Sequence, residues 1–176
     1  MPAIHILNGS IIESEKLGRL ARTVENVFGV ATNVVQSTIS IDRAFDQSRG
    51  QYNSTAILAI LVNQPVRQNE KNILVVDEDL YIPVLTFVFG EAQLNGVAAI
   101  VSTHRLQNQF YGLPHDDTLM MDRLQKEIVH ELGHTFGLYH CRQFECVMRS
   151  STYVEEIDLK KAEPCHTCSA LLKQAD

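Results

Sequence analysis

No stretch of the sequence holds more than two adjacent basic side chains, the longest being Lys160-Lys161. Phosphate binding needs a concentrated positive patch, and the formal net charge is −6, so no nucleic-acid partner is expected. Long apolar runs are missing too. The longest, Ala56–Val62, is far too short to span a bilayer, so no membrane partner is expected either. The opening residues Met1-Pro2-Ala3-Ile4-His5-Ile6-Leu7-Asn8 carry no basic leader, no extended apolar segment and no small-residue cleavage site. A cytoplasmic setting is therefore expected. Cysteine is absent before position 141, and repeats, low-complexity tracts and linkers are absent throughout. The 176 residues, 45% hydrophobic and 20% charged, suit one domain with a real core and are too few for two comfortable ones. A monomer is expected.

The first two-thirds alternates strand and helix patterns. Ala3–Leu7 reads as a short strand. Leu17, Leu20, Ala21, Val24, Val27 and Phe28 fall at helical spacing and predict a helix over Glu13–Phe28, stopped by Gly29. Val34–Ile41 alternates as a strand. Asn53 or Ser54 can cap a buried helix running to about Gln64, ended by Pro65. Ile73–Val76 has the character of an inner strand, and Leu85–Phe89 and Val97–Ser102 predict two more, joined through Asn95-Gly96. A β-α-β-α-β start implies a parallel core with right-handed crossovers. The short link before the last strand implies an antiparallel pair. The expected fold is therefore α/β (α+β): one mixed five-stranded sheet with an antiparallel edge strand.

A long helix is predicted from a cap at Asp117 or Thr118 to about Phe136. Leu124, Ile128, Leu132 and Phe136 form its apolar stripe. His130 and His134 are offset from that stripe by two residues, roughly 200° around the axis, so they point nearly opposite it. Gly137 allows the left-handed turn that swings His140 toward the same point. Three neutral imidazoles bind Zn²⁺ and leave one tetrahedral position for water, and Glu131 is placed to take that water's proton. Random occurrence of His130-Glu131-x-x-His134-x-x-Gly137-x-x-His140 is on the order of 10⁻⁵ per chain of this length. A catalytic zinc on His130, His134 and His140, with Glu131 as general base, is the expectation.

These residues resemble the metzincin clan of zinc peptidases, whose motif is followed by a methionine-containing turn beneath the metal. Met148 is the natural candidate. More narrowly, Lys126–Cys168 is similar to the archaemetzincins, which add a cysteine after the third histidine (Cys141), another before the methionine (Cys146) and a later Cys-x-x-Cys (Cys165, Cys168). Asp79-Leu80-Tyr81, Phe87-Val88-Phe89-Gly90 and Ala99-Ile100-Val101-Ser102 resemble family strand segments. The resemblance implies a metzincin-like single domain, with sheet and active-site helix in 1–137 and a C-terminal subdomain in 138–176. It also implies a zinc-dependent activity on peptide or protein substrates and a second zinc. The alternative is a catalytically weak or inactive zinc-stabilised peptide-binding protein of the same fold. Retention of Glu131 argues against it, because a carboxylate there serves chemistry rather than coordination.

By spacing, Cys141, Cys146, Cys165 and Cys168 supply four thiolates, enough for a closed structural zinc. Two disulfides or four inert thiols are the alternatives, both weakened by the expected reducing compartment. Zinc at both places makes two ions per chain. Other residues are weighed as follows. His166 is a rival ligand made unnecessary by four sulfurs. Tyr153 stands five residues after Met148, too far to be expected on the metal. His5 is a strand histidine, and His104 and His115 are read as surface residues that border the cleft at most. Asp77, Glu78 and Asp79 read as a turn rather than a cation site. Glu127 either orients a ligand or pairs with Arg123.

Overall fold

The computed structural model describes residues 2–65 and 69–173. Strand β1 (Ala3–Asn8) turns Ile4 and Ile6 into the core. Helix α1 (Ser14–Phe28) buries Leu17, Leu20, Ala21 and Val24 along one face and ends at Gly29. Strand β2 (Ala31–Gln36) pairs parallel with β1 from Ala3↔Ala31 to Asn8↔Gln36. It lies earlier than the predicted Val34–Ile41, because β1 offers no partner beyond Asn8. Ile39 and Ile41 pack instead on the second apolar cluster, so their alternation serves a loop.

Strands β3 (Phe45–Asp46) and β4 (Gln51–Asn53) lead into helix α2 (Ser54–Val62). The Asn53 side chain accepts from the Ala56 amide at 3.1 Å and caps this helix. Strand β5 (Glu70–Val76) has every residue from Asn72 to Val76 buried, as a strand covered on both faces must. Strand β6 (Leu80–Tyr81) completes a small three-stranded sheet with β3 and β4 that periodicity did not reveal. Strands β7 (Gly90–Ala92) and β8 (Ala98–Ser102) finish the main sheet, ordered β2-β1-β5-β8-β7. All its neighbours are parallel except β7, which runs antiparallel to β8 at the edge.

The mixed five-stranded sheet with an antiparallel edge is thus as expected, but the edge strand is Gly90–Ala92 and not Leu85–Phe89. Residues 85–89 form a loop in which Phe89 is buried and packs edge-to-face on Phe87, under the Arg105 guanidinium. Val88 makes only an isolated bridge to Leu80. The segment is apolar because it closes the end of the sheet, a demand that looks the same in sequence as a strand's.

Helix α3 (Asp117–Thr135) packs on β7, β8 and α1. Its cap is Asp116, one residue earlier than expected, accepting from the Leu119 amide at 2.9 Å. At its other end Lys71 donates to the Thr135 carbonyl at 2.8 Å and to that of Gly96 at 2.7 Å. A cation there complements the helix dipole and ties α3 to the β7–β8 turn. Two short helices, α4 (Val154–Asp158) and α5 (His166–Leu172), belong to the tail. Among the described residues no helix is long and apolar enough to cross a membrane.

Candidate active site and metal centres

Helix α3 carries His130 and His134 one turn apart, and Gly137, at φ 88°, reverses the chain so that His140 returns beside them. The ring centroids lie 4.8, 4.9 and 5.3 Å apart. His130 Nδ1 meets the Val147 carbonyl at 2.8 Å, and His134 Nδ1 meets that of Leu138 at 2.8 Å. A carbonyl only accepts, so each Nδ1 carries the proton and each Nε2 is a bare lone pair. Those two Nε2 atoms face each other at 3.2 Å. Two lone pairs so close, with no proton between them, fit a cation. Burial pushes His130 well below the usual imidazole range, with the Lys160 charge adding to the effect, and lowers His134 and His140 as well. Neutral imidazole is the metal-binding form.

Glu131 is buried beside this trio, and its carboxyl is raised well above the usual range by burial first and by the neighbouring Glu127 second. It rests against the start of β7. A Cβ on Gly90 would stand 2.8 Å from Glu131 Oε1 and 2.6 Å from the Ile100 carbonyl oxygen. Only glycine lets strand and carboxylate come so close. Inside the motif, a Cβ on Gly133 would collide with Met148 Sδ, so Met148 packs on α3 at Gly133. Neither glycine was singled out from the sequence. No signal in the sequence marks Gly90, because Gly90-Glu91-Ala92 is too short to read as a strand.

Two cavities flank the trio. One, of about 350 Å³, is lined by Gly90, Glu91, Ala92, Leu94 and Tyr139. The other, of about 380 Å³, lies between residues 85–90 and residues 150–152. Both include His130, Glu131 and His140.

The four cysteines form the second cluster, all with free thiols. Cys141 and Cys165 sulfurs are 3.8 Å apart, and those of Cys146 and Cys168 are 3.9 Å apart. A disulfide needs ~2.05 Å. Tetrahedral zinc with Zn–S of ~2.3 Å places its sulfurs ~3.8 Å apart. The spacing fits zinc. Backbone donation from Cys168 brings the Cys165 thiol down to about 7, while burial raises the thiols of Cys146 and Cys168.

Among the described residues only these two groups of His, Cys, Asp and Glu come within metal-binding reach. His166 is exposed at the start of α5, and Tyr153 is 67% exposed before α4. His5 lies 3.7 Å from Glu70. His104 contacts the Asp77 carbonyl and Phe110, and His115 contacts Gln109. Asp77 is occupied by the Ile11 amide and Thr103 hydroxyl, and Asp79 by Arg105. Glu127 does not pair with Arg123, which binds Asp158 at 2.7 Å; its partner is Lys160 at 3.3 Å.

A model described as peptidase family M54 matches residues 20–174. An archaemetzincin of Haloquadratum walsbyi is 42% identical over 134 residues, 74% of this chain and 76% of that protein. One of Methanocaldococcus jannaschii is 40% identical over 158 residues, 89% and 85% of the two. The crystal structure of a zinc-dependent peptidase from Methanocorpusculum labreanum superposes with a TM-score of 0.86 at 33% identity, covering 96% of this chain and 99% of that one. That of an archaemetzincin from Methanopyrus kandleri gives 0.85 at 32%, covering 99% and 94%.

Proposed function

The chain belongs to peptidase family M54 and is a zinc metallopeptidase, and from that premise we propose that it cuts extended peptides at His130, His134 and His140, with Glu131 as general base. The observation that carries this reading is the convergence of three neutral imidazoles beside a buried carboxylate that takes no part in the cluster of ligand atoms. Zinc held by His130, His134 and His140 would supply Lewis acidity, lowering the pKa of the attacking water toward ~7 and polarising the scissile carbonyl. Glu131 takes a proton from the attacking water and hands it to the leaving amine. Gly90 packs directly against this carboxylate and holds it beside the trio, where a group that accepts and returns a proton must stand. Met148 packs as the floor of the site in the manner of a Met-turn, and the four cysteines hold a second, structural zinc.

Substrate binding falls to β7. It pairs with β8 on one side only, and its residues line the cavity beside the histidines. The Glu91 carboxylate is engaged by the hydroxyls of Ser54 and Thr55, which holds this side chain toward α2. An extended peptide can therefore pair with the open edge of Gly90–Ala92 and lay its backbone across the trio. A crystal structure of the zinc-loaded protein with a peptide-based zinc-chelating inhibitor tests this. The inhibitor is expected as an added strand on β7. An inhibitor seated away from Gly90–Ala92 would overturn the assignment.

A further inference from the structure

Lys160 stands outside every motif and in sequence is half of a Lys-Lys pair of the kind usually solvated. In the fold its side chain is 1% exposed. The ammonium donates to the Arg149 carbonyl at 3.0 Å, Glu127 Oε1 at 3.3 Å and the Val147 carbonyl at 3.4 Å. It thus joins α3 to the turn that holds Met148.

The Val147 carbonyl is the same oxygen that receives His130 Nδ1–H. A carbonyl has two lone pairs, and here one serves the histidine and the other lies toward the ammonium. The remaining side of that turn is also held. Val147 N donates to the Glu163 carbonyl at 3.1 Å, and Cys141 N donates to that of Met148 at 2.9 Å. The oxygen that sets the tautomer and direction of His130 is therefore fixed by Lys160, and Lys160 by Glu127.

We propose that Lys160, anchored by Glu127, is a positioning residue for His130, and that it tightens the histidine cluster's hold on its metal. The inference rests on the zinc-binding role given to the histidines above. A purely structural ion pair is the competing explanation, and the two separate on a general property of buried pairs. Removing one partner strands a buried charge, whereas replacing both by apolar side chains of similar volume often leaves stability unchanged. Groups that orient a metal-bound histidine, in contrast, cost about 10- to 100-fold in metal affinity when lost.

The test compares Lys160→Met with Glu127→Met/Lys160→Met in the full chain with its cysteine site loaded. Three quantities are read: melting temperature, zinc affinity at the histidines by competition with a chromogenic chelator, and the visible bands of Co²⁺ placed there. The single variant is expected to melt early. The double variant is expected to recover most of the lost melting temperature, short of the part owed to the Arg149 carbonyl left without its donor, yet to bind zinc about 10- to 100-fold more weakly and to show shifted Co²⁺ bands. If Lys160→Met does not fold, the double variant alone carries the comparison. Wild-type zinc affinity in the double variant overturns the inference, as does a loss of affinity matched by an equal fall in melting temperature in both variants. A wild type that binds no zinc at the histidines overturns the metal-centre reading, and this inference with it.

Discussion

Glu131→Gln is expected to keep its zinc and to lose about 10²-fold or more in turnover. The substitution preserves shape, which matters because Gly90 packs directly against this side chain. It removes no inward-facing nitrogen, so the metal site keeps all its donors. What disappears is the ability to accept a proton, since a neutral amide is not a base at working pH. The loss should fall on kcat, with KM little changed, because in the proposed pose the peptide is held by β7 and not by the carboxylate. Zinc per chain by elemental analysis and steady-state kinetics on one peptide check both halves. Hydrolysis at the wild-type rate by a zinc-loaded variant sinks the proposed role of Glu131.

The second large effect concerns residues remote in sequence from the histidines. Cys165→Ser and Cys168→Ser are expected to cut zinc from two ions per chain to one or fewer. They should also lower the melting temperature and loosen the catalytic metal. Cys141 follows His140 directly, and Cys146 lies two residues before Met148. Zinc in the cysteine cluster would therefore clamp both ends of the segment that delivers the third imidazole and the floor of the site. Structural zinc contributes ~10–16 kcal/mol to folding in small domains; losing about 4 kcal/mol of it would lower melting by roughly 8–16 °C in a chain of this size. Calorimetry together with metal analysis under reducing conditions gives the answer. Cysteine variants that match the wild type in melting temperature and in metal at the histidines would remove the proposed coupling.

How far the molecule was legible depended on how many residues each feature spread over. The parallel centre of the sheet followed from the short apolar strand β1, the helical period of α1 and the unbroken apolar run of β5. The histidine trio followed from α3, where an offset of two residues from the apolar stripe sets direction. The edge strand was misplaced because Gly90-Glu91-Ala92 is too short and too weakly β-forming to declare itself, while the loop before it is apolar for a different reason. Strands β3, β4 and β6 have two or three residues each and no period at all. Glu127 reads from sequence as a carboxylate that either orients a ligand or pairs with Arg123, and its actual partner, Lys160, lies thirty-three residues away. Contacts of that kind exist only once the tail folds under α3. Gly133 is a similar case. Its spacing in the motif leaves it looking like filler, and its role appears only when Met148 arrives against it.

The central claim, that the histidine site cuts peptides with its own zinc, is tested most directly by mass spectrometry of a peptide library incubated with the purified protein. The protein is first loaded with zinc, then stripped by a chelator mild enough to spare the cysteine cluster, then given zinc again. New amino termini should appear with the loaded protein, vanish on stripping and return with one equivalent of zinc, while Glu131→Gln carried through the same steps yields almost none. Cleavage that persists after stripping, or an intact library in the presence of wild-type protein with both metal sites filled, would contradict the account.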